Sequence, residues 1–247
     1  HGYFIWFGDI LFHYALMGMV VFLFRKASPR KLITIACLLL PVTLLINYGS
    51  SFYVEELQAE VATIEQLQSQ GTALDEEQQE KLEAWEEIRV VFAPSAEDIE
   101  AEVTAYKGTY VDALAQRAPY VAIMQLNLTL VFVVWRVGGL MLLGMALMKL
   151  GVLSGERSMR FYKRMTLIGY GAGLPLAILS VVLLDANQFD PLYVARYGGI
   201  PNYFGSILVA FGHIGAVVLI VKSGVLQAVV RRFAAVGRMA LSNYLTH

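Results

Sequence analysis

The stretch MTLIGYGAGLPLAILSVVLL, residues 165–184, carries no charged side chain over twenty positions. It is bracketed by Lys163-Arg164 on one side and Asp185 on the other. A helix of about 20 apolar residues matches the roughly 30 Å hydrocarbon core of a bilayer, so this segment reads as a membrane span. Outward from it the same pattern recurs. Spans are expected at Phe4 to Phe24, Leu32 to Gly49, within Tyr120 to Leu150, and Tyr203 to Val221, with a further helix starting near Val236. Pro41 and Pro175 fall inside two of these segments, which a membrane helix tolerates where neighbours satisfy the freed carbonyl. The fold class expected is all-α: a multi-pass transmembrane bundle of five full spans and the start of a sixth.

Composition agrees. Of 247 residues, 57% are hydrophobic and only 16% charged, against about 25% charged in soluble domains; mean hydropathy is +0.57. The formal net charge of −1 conceals a segregation. Arg25, Lys26, Arg30 and Lys31 lie between the first two spans; Lys149, Arg157, Arg160, Lys163 and Arg164 lie between the third and fourth; Lys222, Arg231, Arg232 and Arg238 follow the fifth. These alternate linkers hold 13 of the 19 Lys and Arg residues, and the positive-inside rule places them in the cytoplasm. The expected location is a bacterial inner membrane with basic loops cytoplasmic.

The linker between the second and third spans is a soluble insertion. Between Ser51 and Arg117 there are 16 acidic residues against Lys81, Arg89, Lys107 and Arg117, a net charge of −12. Val54, Leu57, Val61 and Ile64, then Leu82, Trp85 and Ile88, recur at helical spacing. Gly71-Thr72 reads as a turn, and Pro94 with Ser95-Ala96-Glu97-Asp98 reads as a stop and a capping box. The chain thus divides into membrane helices over 1–50, an acidic extracytoplasmic helical insertion over 51–117, and membrane helices over 118–247. The insertion is a solvated cap or a lid, and its acidity disfavours an anionic ligand there.

No phosphate loop, nucleophile elbow or Rossmann glycine pattern is present, and no metal-ligand spacing involves the single cysteine, Cys37, which reads as a small buried side chain. Gly169, Gly171 and Gly173 point to close helix packing. Candidate site residues are the polar groups at membrane depth, because each is costly in lipid. Asp9 and His13 stand four apart on one helix face, an arrangement suited to a general base or to a helix-packing pair. Arg136 needs a partner: Asp9, the only acidic residue within an apolar span, or a bound anion. His213 is a further catalytic or relay candidate. Asn127, Asn243 and Tyr244 are weaker ones, and His1 and His247 at the chain ends carry little information. Asp9, His13, Arg136 and His213 are expected to converge on one polar cavity.

Three stretches carry a resemblance: Gly8-Asp9-Ile10-Leu11 with Tyr14-Ala15-Leu16, Arg136 with Leu140 through Leu147, and Gly237 through Leu245. Ala105 through Tyr110 in the insertion, Tyr203-Phe204-Gly205-Ser206 and Gly212-His213 add to it. Together they resemble the YeiB family of bacterial inner-membrane proteins, whose C-terminal part is a domain of unknown function. That family is similar, remotely, to transmembrane acyltransferases, including the lysosomal heparan acetyl-transferring enzyme. The resemblance implies a cytoplasmic thioester donor, acyl-coenzyme A, and an extracytoplasmic acceptor. His13 oriented by Asp9 would serve as base, with His213 beside them and Arg136, Arg238 and Asn243 on the donor. It also implies that the chain begins after the family's first helices, in keeping with a start at His1 and an end inside a helix. A proton-coupled or small-molecule transporter, and a scaffold or sensor acting through the insertion, are the competing classes. The expected partners are the lipid bilayer, the donor and the acceptor, with no nucleic acid.

Overall fold

The computed structural model describes residues 9–71, 73–92 and 94–246, and every regular element among them is helical. α1 (Leu11–Phe22) leads by a short turn into α2 (Pro29–Ser69). Ser28 caps α2 by accepting from the Lys31 N–H, and Pro29 occupies its first turn, where a missing N–H costs nothing. At 41 residues, α2 is about 60 Å long by helical rise, twice a hydrocarbon core. The expected end at Gly49 is not observed. The helix continues because its packing face continues: Leu32, Ala36 and Thr43 are buried in the apolar half, and Leu57, Val61 and Ile64 in the acidic half. Cys37, expected to be buried, lies beside that face and is exposed.

The distal half of α2 pairs with α3 (Glu76–Phe92), and Lys81 on α3 bridges to Glu60 at 3.1 Å. α4 (Ala96–Lys107) opens with the expected capping box, both halves of which form. α5 (Tyr110–Ile123) runs without a break into a π-helical segment, Met124–Val137, and then α6 (Gly138–Lys149). Helices therefore cross both expected borders of the insertion, at 51 and at 117. Thr72, half of the expected turn, lies outside the described residues.

α7 (Met159–Ala186) and α9 (Ile200–Ser223) pack against each other along their lengths, joined by α8 (Pro191–Tyr193) and a second π-helical turn, Val194–Gly198. The approach needs glycine. A Cβ on Gly169 would stand 2.4 Å from the Gly212 nitrogen, and one on Gly173 2.8 Å from the Val209 nitrogen, whereas Gly171 faces open space. α10 (Gln227–Arg238) and α11 (Ala240–Leu245) follow. The helix expected from Val236 begins earlier, at Gln227, and breaks at Met239.

Among the described residues, four segments are long and apolar enough to cross a membrane: Pro29–Ser69, Leu128–Lys149, Met159–Ala186 and Ile200–Ser223. α1 is a shorter apolar helix of 12 residues as described, and the start of its expected span, Phe4 to Gly8, lies outside the described residues. Side-chain contacts sort the loops into two ends. Lys149 Nζ donates to the carbonyls of Arg25 (2.7 Å) and Ala27 (2.8 Å). Lys222 Nζ donates to those of Gly155 (2.5 Å) and Arg157 (2.9 Å). These contacts gather the basic linkers at one end. At the acidic end Arg196 donates to Glu55 at 2.7 Å and Ser51 at 3.1 Å.

Candidate functional site

The most developed polar site at depth is built on Arg136. The π-helical segment carries this residue in its last turn, just before the helix tightens into α6; π-helical geometry is rare and recurs at functional sites. Arg136 reaches α9. One terminal nitrogen donates to the Tyr203 carbonyl at 3.2 Å and the other to Ser206 Oγ at 2.7 Å. The Ser206 hydroxyl donates to the Asn202 carbonyl at 2.7 Å, so its oxygen is turned to accept from Arg136. The guanidinium also stacks on the buried Tyr203 ring, 3.9 Å from its centre, an arrangement that attracts a cation to the ring's negative face. The Tyr203 hydroxyl donates to the Leu40 carbonyl of α2 and so anchors the stack to a third helix.

Beyond Arg136 an apolar groove of about 370 Å³ runs between α6 and α9, walled by Leu140, Leu143 and Leu147 on one side and Ser206, Ala210 and Ile214 on the other. Gly144 lies in its floor, and a Cβ at that position would meet nothing within 4 Å. No carboxylate bonds Arg136 among the described residues, and its remaining N–H groups have no partner there. Among the described residues the groove thus carries a cation balanced by neutral dipoles and the ring faces of Tyr203 and Phe132, which favours a guest bearing an anionic or strongly polarised oxygen.

The remaining candidates do not gather at this groove. The expected Arg136–Asp9 pair is not formed, because the carbonyl and hydroxyl of α9 are nearer partners. Asp9 Oδ1 accepts instead from the Tyr244 hydroxyl at 3.0 Å and from the Leu11 N–H at 3.4 Å, and Tyr244 in turn accepts from the Ile10 N–H at 3.1 Å. α11 is thereby fastened to the start of α1. His13 shares a face with Met17 and Val21, is 6% exposed, and leaves Nε2 buried without a hydrogen-bond partner. No Asp9–His13 hydrogen bond is present among the described residues. His213 is exposed on the α7 side of α9. Its Nδ1 meets the Val209 carbonyl at 2.8 Å, which requires the proton on Nδ1, and its ring stands edge-on to Tyr170. Arg238 and Asn243 are exposed on α10 and α11 and line no part of the groove. The Asn127 side chain, like His1 and His247, lies outside what is described. Ser206 and Tyr203 are the partners that sequence reasoning did not single out as site residues; the Tyr203-Phe204-Gly205-Ser206 stretch was the signal that pointed to them.

Residues 147–247 match the family described as "Protein of unknown function (DUF418)". Over 246 residues the chain is 28% identical to "Uncharacterized protein YxaH" of Bacillus subtilis (strain 168), covering 99% of this chain and 52% of that protein. Over 245 residues it is 26% identical to "Uncharacterized protein YeiB" of Escherichia coli (strain K12), covering 99% of this chain and 56% of that one. The chain spans about half the length of these curated relatives. No solved structure matches it. The similarity along nearly all of this chain to two such proteins and the matched C-terminal segment agree with the motifs quoted from the sequence: the chain is similar to YeiB and YxaH, and its residues 147–247 match the DUF418 family.

Proposed function

We propose that this membrane protein binds an acyl-bearing amphiphile in the groove between α6 and α9, with a carbonyl or carboxylate oxygen on Arg136 and the hydrocarbon along the leucine wall. One observation carries this reading: a guanidinium with unused N–H groups at the polar end of an apolar groove. The reaction class it serves is acyl transfer from a thioester to an acceptor hydroxyl. The carbon–sulfur bond breaks, a carbon–oxygen bond forms, and the hydroxyl proton ends on the thiol. A fixed cation at the acyl oxygen stabilises the charge that develops there. Asp9, His13 and His213 do not line the groove, so acceptor activation is assigned to none of them. In the same reading the protein sits in a bacterial inner membrane with its basic end cytoplasmic, and residues 51–117 form an acidic module on the far side.

The test is equilibrium binding of a long-chain acyl-coenzyme A to the purified full-length protein. Arg136→Gln removes the charge-assisted bond, worth about 1.5–3 kcal/mol, and should weaken binding about tenfold or more. Gly144→Leu should block the groove without a backbone clash, since the added side chain enters open space. Binding unchanged in both variants would sink the proposal. Binding without acyl transfer to any acceptor hydroxyl tried, and so without release of free thiol, would keep the site and remove transfer from it.

A further inference from the structure

A second apolar space lies beyond the proposed groove, and it is independent of that reading. The residues of α9 that follow the groove, Val217, Ile220 and Val221, face Leu226, Val229, Val230 and Phe233 at the start of α10 across a wedge of about 490 Å³. Residues 227–238 read QAVVRRFAAVGR. At 100° per residue Val229, Val230, Phe233 and Val236 fall on one side, and Gln227, Arg231 and Arg238 on the other, with Arg232 at the border. The apolar side is uncovered: Phe233 is 72% exposed and Val236 57%. The turn into α10 is held by two left-handed residues, Gly224 at φ 71° and Leu226 at φ 58°. A leucine rarely adopts that conformation, so the change of direction is built in rather than a frayed end. Lys222, bonded to the carbonyls of Gly155 and Arg157, fixes the point of departure at the basic end of the bundle.

We propose that α10 is an interfacial helix that selects anionic phospholipid. Acyl chains of the basic-end leaflet fill the wedge against α9, and Arg231, Arg232 and Arg238 contact phosphate groups of lipids such as phosphatidylglycerol. Charge complementarity selects this occupant. A protein partner would have to cover the apolar side, whereas a bilayer supplies hydrocarbon below and anions above one helix. Each arginine near an anionic surface contributes about 1 kcal/mol, or roughly fivefold in local preference.

The experiment uses the full chain carrying Cys37→Ala, reconstituted in nanodiscs of equimolar phosphatidylglycerol and phosphatidylcholine. Spin labels are placed at Phe233→Cys and Arg232→Cys, and the lipids retained after mild detergent extraction are counted by mass spectrometry. The label at position 233 should be relaxed by oxygen and that at 232 by a water-soluble nickel chelate. Retained lipid should be enriched severalfold in phosphatidylglycerol, and Arg231→Gln with Arg232→Gln should bring the ratio near one. A position 233 shielded from both relaxants would show that protein covers the helix, and oxygen access at 232 would show that α10 crosses the hydrocarbon. Either result, or an unchanged lipid ratio in the double variant, overturns the proposal.

Discussion

At the scale of single residues, the decisive contact is the one Arg136 makes. A buried cation is often balanced by a carboxylate, and breaking such a pair strands a charge. Here the partners are a carbonyl, a hydroxyl and a ring face, so Arg136 and Asp9 belong to separate networks. Thermal unfolding of the purified protein should therefore give additive effects for Arg136→Gln and Asp9→Asn, within about 0.5 kcal/mol, as for sites without shared partners. Asp9→Ala and Tyr244→Phe should instead be non-additive, because they remove the acceptor and the donor of one hydrogen bond. A coupling above about 1 kcal/mol between Arg136 and Asp9 would mean that the two charges meet. His13 offers a separate check. Its Nε2 is buried without a partner, and a buried polar atom in that state costs stability. His13→Phe should leave the unfolding temperature unchanged or raise it; a marked fall would reveal a bond to Nε2.

Between elements, the α7–α9 contact is set by backbone approach. Gly169→Leu and Gly173→Leu push a side chain into the backbone of α9 and should each destabilise by about 1–3 kcal/mol or more, the usual cost of overpacking. Gly171→Leu, two residues from both, enters open space and should be tolerated. Equal losses at all three positions would contradict the packing register. In the insertion, the cap of α4 makes a pH prediction. The Ser95 hydroxyl and then its N–H donate to Asp98, and hold that carboxyl below its ordinary value of 3.8. The folded pKa is depressed, so the cap's contribution is present in full above about pH 3.8 and is lost as pH falls through the lower folded value. A carbon-13 titration should place the Asp98 carboxyl below 3.8, and Ser95→Ala should return it toward that value. Asp112, which accepts from the Thr109 hydroxyl and N–H, should behave likewise.

For the whole molecule, the reading of the basic end as cytoplasmic predicts the labelling of single cysteines in a Cys37→Ala background. In intact cells an impermeant thiol reagent should reach Ser69→Cys, at the far tip of α2, and should not reach Ser223→Cys, at the end of α9. Labelling at 223 from outside would reverse the orientation. The membrane character, the helical class, the segregation of charge and the capping box of α4 were all determined by the sequence alone. Each depends on residues close together in the chain, through twenty-residue apolar runs, linker charges or a four-residue cap. The partners of the buried polar groups were not so determined. Arg136 meets Tyr203 and Ser206, some seventy positions later, and Asp9 meets Tyr244 near the far end of the chain. Counting charges pointed to an Arg136–Asp9 pair, but a cation in an apolar bundle is satisfied by whatever dipoles packing brings within reach. The close fit of α7 on α9 brings glycine backbones to within contact, and the π-helical turns set the rotation at which Arg136 leaves its helix. These are products of three-dimensional packing, so only the tertiary structure could decide which polar groups share a site.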